Sequence, residues 1–390
     1  MYPNFENTAI AFQLKTDSEL ERAYFLFKLI ANEPLVKIGT AVTNFAIKAH
    51  LPIEGLIRAT VFDHFCGGVS EEDCMPIIDK MYESGVCSIL DYSVEGKEME
   101  DQFDFALNKT LEVLDFVKEK AAIPFAVFKP TGFGRFELYE KVCAGKALSD
   151  AESEEWKRVL NRYDQVCKKA HDLDVCLLID AEESWMQDAA DVISLDMMRK
   201  YNKEKAVVFN TIQMYRWDRM EFLKELNDTA TSENFKVGLK VVRGAYMEKE
   251  NERAKEQGYK SPICESKQAT DENFDAAIAY MMNHLDTISI FAGTHNEESC
   301  LKLISQMKDE GIKASHANIW FGQLYGMSDH ITYNLTAEGY NVAKYVPYGP
   351  VKDVMPYLIR RAEENTSVAG QTTRELGLLQ KEKKRRKLDL

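Results

Sequence analysis

The sequence predicts an α/β protein, a (β/α)8 TIM barrel with an N-terminal helical region, and three observations predict it. Eight short apolar runs of strand length recur between residues 86 and 346. Longer segments separate them, most with helical periodicity, which is the pattern of parallel βαβ units. Polar residues stand just after these runs, and a closed barrel gathers the carboxyl ends of its strands on one face.

Residues 1–85 read as the helical region. Leu20, Tyr24, Phe27 and Leu29–Ile30 recur at helical spacing, Pro34, Pro52 and Gly67-Gly68 punctuate the stretch, and Ser70-Glu-Glu-Asp reads as a helix start. Strands are predicted at Val86–Leu90, Ile123–Phe128, Val175–Ile179, Ala206–Phe209, Val237–Val242, Ile288–Ala292, Ala317–Phe321 and Val342–Val346. The residues that follow them are, in order, Asp91 to Glu95, Lys129-Pro-Thr, Asp180-Ala-Glu-Glu, Asn210 to Gln213, Arg243-Gly-Ala-Tyr246, Thr294-His-Asn296, Gln323-Leu-Tyr-Gly and Pro347-Tyr-Gly-Pro350. The barrel is expected over 86–370. Residues 371–390 are left as a C-terminal tail, and its run Lys381-Glu-Lys-Lys-Arg-Arg-Lys387 is basic. That run reads as a solvated tail, or as a weak electrostatic contact with an anionic membrane surface.

Composition bounds the function. The chain has 390 residues, 49 Lys plus Arg and 63 Asp plus Glu, for a formal charge of −14, which argues against a nucleic-acid partner. It is 45% hydrophobic and 29% charged, ordinary for a globular protein with a large core. No run is long enough to span a membrane. The N-terminus lacks a signal-peptide pattern, and its early acidic residues disfavour a mitochondrial transit peptide. The 8 cysteines form no C-x-x-C pair, so a cytoplasmic protein without disulfides or structural zinc is expected. His295, His316 and His330 lack metal-ligand spacing, so no metal is expected and a metal hydrolase is disfavoured.

The densest chemistry lies in the last predicted barrel helix. Tyr357 precedes Arg360 and Arg361 by three and four residues, so the three share a helical face, and Glu364 is one step further along. Paired guanidinium groups suit a carboxylate ligand; the plain alternative is a helix surface with ordinary ion pairs.

These residues carry a resemblance. Lys129-Pro-Thr, Leu178-Ile-Asp-Ala-Glu-Glu183, Val241-Val-Arg-Gly-Ala-Tyr246, Gly293-Thr-His-Asn-Glu297, Tyr325-Gly-Met-Ser-Asp329, Tyr345-Val-Pro-Tyr-Gly-Pro350 and the closing Tyr357-Leu-x-Arg-Arg-x-x-Glu-Asn365 stand in family order. Over about residues 88–370 the chain resembles the proline dehydrogenase (proline oxidase) family, in its monofunctional, eukaryotic-like branch. The resemblance implies a distorted (β/α)8 barrel that holds FAD noncovalently and oxidises L-proline to Δ1-pyrroline-5-carboxylate, the first step of proline catabolism toward glutamate. It implies a quinone as electron acceptor, hence a peripheral contact with the inner face of the membrane, and a separate pyrroline-5-carboxylate dehydrogenase downstream.

The resemblance also implies the site. Lys129, Asp180, Arg360 and Arg361 are the expected catalytic residues and, with Tyr246, Leu324, Tyr345 and Tyr357, the substrate site. Glu95 and Arg360 are the expected gate. Gln213, Lys240, Val242, Arg243, Gly244, Ala245, Met247, Thr294, His295, Asn296, Gln323 and Glu364 are the expected flavin contacts, with Gly244 letting backbone approach the pyrophosphate. Lys240 replaces an arginine common in bacterial members, and Met247 replaces a tryptophan found in some. Three readings compete: a hydroxyproline dehydrogenase, which Tyr345 disfavours because that branch tends to carry a smaller residue there; a flavin barrel acting on folate; and a non-catalytic barrel with a regulatory role.

Overall fold

The computed structural model describes residues 2–32, 34, 36, 39, 54–93, 98–367 and 371–388, without the side chains of 54, 56, 59 and 362–371. Eight parallel strands close into a barrel in chain order. They are β1 (Val86–Tyr92), β2 (Phe125–Phe128), β3 (Cys176–Ile179), β4 (Val208–Gln213), β5 (Val237–Val242), β6 (Ile288–Gly293), β7 (Ile319–Leu324) and β8 (Val342–Tyr348). Each expected strand is present, β5 with the expected bounds and the others with shifted ones. β4 runs on to Gln213 through Asn210, Thr211 and Gln213, buried polar residues inside a strand, and β7 runs on to Leu324 through the buried Gln323. Thr211 Oγ donates to the Ile179 carbonyl at 2.7 Å, and Asn210 Nδ2 donates to Asp191 at 2.8 Å. A search for apolar runs stops where such satisfied polar groups begin.

The chain divides into two compact units, residues 1–95 with 323–390, and residues 96–322. In the second unit, aromatic rings fill the interior between alternate strands. Phe125 of β2 meets Phe209 of β4 edge-on at 6.0 Å and Phe291 of β6 at 5.2 Å, in the manner of a packed barrel layer. A Cβ on Gly238 would lie 2.6 Å from the Phe209 ring, so β5 needs a glycine beside that ring.

The first unit joins the two ends of the chain. It holds α1 (Thr8–Ala11), α2 (Asp17–Ile30), a helical run α3 (Glu54–Ile57, a π turn at Arg58–Phe62, then Asp63–Phe65) and α4 (Glu71–Tyr82). Thr16 and Glu19 form a capping box on α2, and the Ser70 side chain accepts from Asp73 N at 3.2 Å, as expected of that helix start. Within the expected tail 371–390, the described residues are not a solvated tail, because Gln371–Arg385 is a helix whose Leu378 and Leu379 share a core with Phe12, Leu20, Ala23 and Phe27. Most of its basic run is also paired: Lys381 with Glu6 at 2.9 Å, Arg385 and Arg386 with Glu382 at 2.8 and 2.7 Å. Those pairs reduce the charge available to an anionic surface.

Candidate functional site

In the unit 96–322, the expected residues gather at the carboxyl ends of the strands. Lys129 follows β2, Asp180 follows β3 and Lys240 lies in β5. Lys240 Nζ donates to Asp180 Oδ1 at 2.5 Å, and Lys129 Nζ lies 3.5 Å from Asp180 Oδ2. Burial by itself raises the Asp180 pKa, but the charges of Lys240 and then Lys129, with their hydrogen bonds, outweigh it and hold the carboxyl below its ordinary value. Asp180 is therefore an ionised group between two ammonium groups.

Around it, Gln213 is buried at the end of β4, and its Nε2 donates to the Glu182 carbonyl at 3.0 Å. Thr294 Oγ accepts from Arg243 at 2.9 Å, and Asn296 caps the next helix, Glu297–Asp309, through Ser299 N at 3.1 Å. The Arg243 guanidinium is committed to the protein: it bonds Asp271 at 2.6 Å and Ser299 at 3.0 Å and lies 4.4 Å from the Phe274 ring. Gly244 has φ +135°, and a Cβ there would overlap the Tyr215 ring, so packing inside the protein already requires this glycine. The expected reason, approach to a pyrophosphate, is not needed to explain it. Met247 opens the helix Met247–Gln257 and is 52% exposed.

The unit 1–95 with 323–390 carries the remaining expected residues. Tyr345 is buried on β8, and its carbonyl accepts from Tyr325 N at 2.8 Å. Tyr357 lies in the helix Met355–Ser367 and shares an apolar cluster with Leu324, Met327, Val354 and Leu358. Arg361 Cζ sits 5.2 Å from the Tyr357 ring centroid, so the shared helical face read from the sequence is present. Arg360 is half-buried one residue earlier. Gln323 Oε1 accepts from Thr332 at 2.9 Å. Glu95 lies outside the described residues, as does the side chain of Glu364.

Two participants escape the sequence reading. Glu182 is buried, and its Oε1 accepts from Thr131 N at 3.0 Å and Thr131 Oγ at 2.9 Å. Burial pushes its carboxyl up to about 7, against the Thr131 hydrogen bonds and the charge of Lys129. Both residues stand inside quoted motifs, yet nothing in a linear sequence separates a buried Glu182 from its neighbour Glu183.

A family model described as proline dehydrogenase matches residues 74–374. The chain is 39% identical over 362 residues to the carbapenem antibiotics biosynthesis protein CarD of Pectobacterium carotovorum subsp. carotovorum, covering 92% of this chain and 94% of that one. It is 31% identical over 429 residues to proline dehydrogenase 1, mitochondrial, of Dictyostelium discoideum, covering 97% and 74%. Among solved structures, proline utilization A of Bdellovibrio bacteriovorus inactivated by N-propargylglycine aligns with a TM-score of 0.73 at 19% identity. That alignment covers 95% of this chain but 40% of the other, and it speaks to the fold alone.

Proposed function

The chain belongs to the proline dehydrogenase family, and we propose that it oxidises L-proline to Δ1-pyrroline-5-carboxylate with FAD as its cofactor. The observation that carries this reading is the Lys129–Asp180–Lys240 cluster, whose two lysine cations suit both an electron-accepting ring system and an anionic substrate. The donor set of Gln213, Lys240, Thr294 and His295 fits a flavin's ring and polyol oxygens, with Val242, Gly244, Ala245, Met247, Asn296, Gln323 and Glu364 as further contacts. Arg243 belongs in that set through its backbone, since its side chain is engaged elsewhere. FAD, when bound, supplies the two-electron acceptor.

The other tasks fall to this chain's own residues. Arg360 and Arg361 receive the proline carboxylate with planar donor forks. Tyr246, Leu324, Tyr345 and Tyr357 wall the apolar ring. The ring nitrogen must lose a proton as the C5–H bond breaks, because an ammonium nitrogen has no lone pair with which to form the C=N bond. Asp180 is a poor proton acceptor near neutral pH because Lys240 and Lys129 hold its pKa below the ordinary carboxylate value, so its role is electrostatic and it orients the two lysines. Glu95 and Arg360 form the gate that excludes water. Stopped-flow reduction of Glu95→Ala at the wild-type rate would count against the gate.

Electrons pass to a quinone, and the product passes to a separate dehydrogenase acting on pyrroline-5-carboxylate. A relative of 39% identity carries a name from antibiotic biosynthesis, so catabolism toward glutamate is one use of the product and biosynthesis another. Among the described residues no helix is long and apolar enough to cross a membrane, so any meeting with a membrane quinone would be peripheral. The test is turnover with an artificial acceptor and mass analysis of the product. A product two hydrogens lighter than proline, formed faster from L-proline than from trans-4-hydroxy-L-proline, is expected. Preference for the hydroxylated substrate would move the assignment to a hydroxyproline dehydrogenase.

A further inference from the structure

Lys129 is held in place by a short turn, and that turn has a keeper. Pro130–Gly132 is a single 3-10 turn, closed by Gly132 N donating to the Lys129 carbonyl at 2.9 Å. Tyr139 Oη holds the Pro130 carbonyl at 3.0 Å from below. Thr131 is the remaining residue of the turn, and Glu182 Oε1 takes both its backbone N–H and its hydroxyl.

Glu182 is itself fixed from two further sides. Its backbone N–H donates to Gln187 Oε1 at 2.8 Å, and Gln187 Nε2 donates to Asp191 at 2.7 Å. Asp191 also accepts from Asn210 at 2.8 Å and pairs with Arg219 at 2.8 Å. The Glu182 carbonyl accepts from Gln213. One residue thus ties the ends of β2, β3 and β4 to a buried polar network.

We propose that Glu182 is a positioning residue for Lys129: by pinning Thr131 it fixes the turn that sets the Lys129 ammonium against Asp180. The proposal rests on the reading of Lys129 as a substrate-site residue. The groups facing the Glu182 carboxyl are Thr131 and Lys129 at the β2 end, Glu183 beside it, and Tyr139 and Tyr163 from the two helices Phe136–Cys143 and Asp150–Leu173. Lys129 is the cation among them, and Glu182 reaches it through the turn.

The test is lysine labelling of the FAD-loaded protein read residue by residue by mass spectrometry, for wild type, Glu182→Leu and Glu182→Gln. The leucine variant should raise the labelling rate at Lys129 about tenfold while Lys240 and the fully buried Lys344 stay at wild-type rates, and glutamine, which keeps the Oε1 acceptor, should return Lys129 to within about twofold. In turnover, kcat/KM for proline should fall about tenfold in the leucine variant, mainly through KM, and recover in the glutamine variant. Unchanged Lys129 labelling in Glu182→Leu overturns the proposal. A rise shared equally by Lys129, Lys240 and Lys344 also overturns it, because that reports general loosening. Labelling needs no proline, so the proposal is judged even if the wild-type protein fails to oxidise proline, and that failure would sink the proposed function alone.

Discussion

At the scale of single residues, the site depends on how charge is compensated. Asp180 and Glu182 are two residues apart, and their carboxyl groups shift in opposite directions because one faces two ammonium groups and the other faces mainly neutral donors. This gives Glu182 a pH signature in stability. Its folded form holds a proton up to about pH 7, whereas the unfolded chain releases it near 4.5, so this group lowers stability as pH rises between those values. The full penalty above that window is about 3 kcal/mol. Glu182→Gln removes it, so the Tm advantage of the variant over wild type should grow from pH 5 to pH 8, as calorimetry at the two pH values would show. An advantage that shrinks with rising pH would mean that the carboxyl ionises normally. For Arg361, loss of a charge-assisted partner of a carboxylate costs about 2–5 kcal/mol, so Arg361→Met should lower kcat/KM for proline by about 30-fold or more with FAD still bound. A change below about twofold would place the carboxylate elsewhere.

At the scale of elements, the C-terminal helix Gln371–Arg385 matters more than its composition suggests. Glu375 is buried, and its Oε1 accepts from Ser328 N at 2.5 Å. Ser328 has φ +52°, a left-handed conformation that a serine adopts only when its surroundings fix it. It lies in the loop between β7, which carries Gln323 and Leu324, and the helix Asp329–Ala337. Glu375→Ala leaves that buried N–H unpaired and should destabilise the protein by about 1–3 kcal/mol, measured by chemical denaturation. Unchanged stability would show that the loop keeps its shape without the helix.

The sequence made this helix hard to see. Lys381 to Lys387 read as solvated charge, because Glu6, Asp17 and Glu382, which pair with it, are either distant in sequence or hidden within the run. The strands were legible from their apolar runs. The polar end of β4 up to Gln213 was not, since burial of Asn210 and Thr211 is decided by partners on other elements. Lys129 and Asp180 were legible as strand-end residues, Lys240, inside β5, was singled out only through the family resemblance, and the convergence of the three follows from barrel closure. Glu182 was not, because its importance lies in a bond to Thr131 on another strand.

At the scale of the whole molecule, the closed barrel of eight parallel strands, the match of residues 74–374 to the proline dehydrogenase model and the cationic cluster at the strand ends support one account. It is the proposed one, a flavin-dependent dehydrogenase of a cyclic amino acid, with this chain binding the carboxylate, walling the ring and setting the charge around the reacting amine. The most direct measurement is an anaerobic titration of the FAD-loaded protein with L-proline, followed by absorbance. The account predicts that the oxidised flavin band is bleached by proline and returns on addition of a quinone. A folded protein that binds FAD and keeps its oxidised spectrum in excess proline would contradict it.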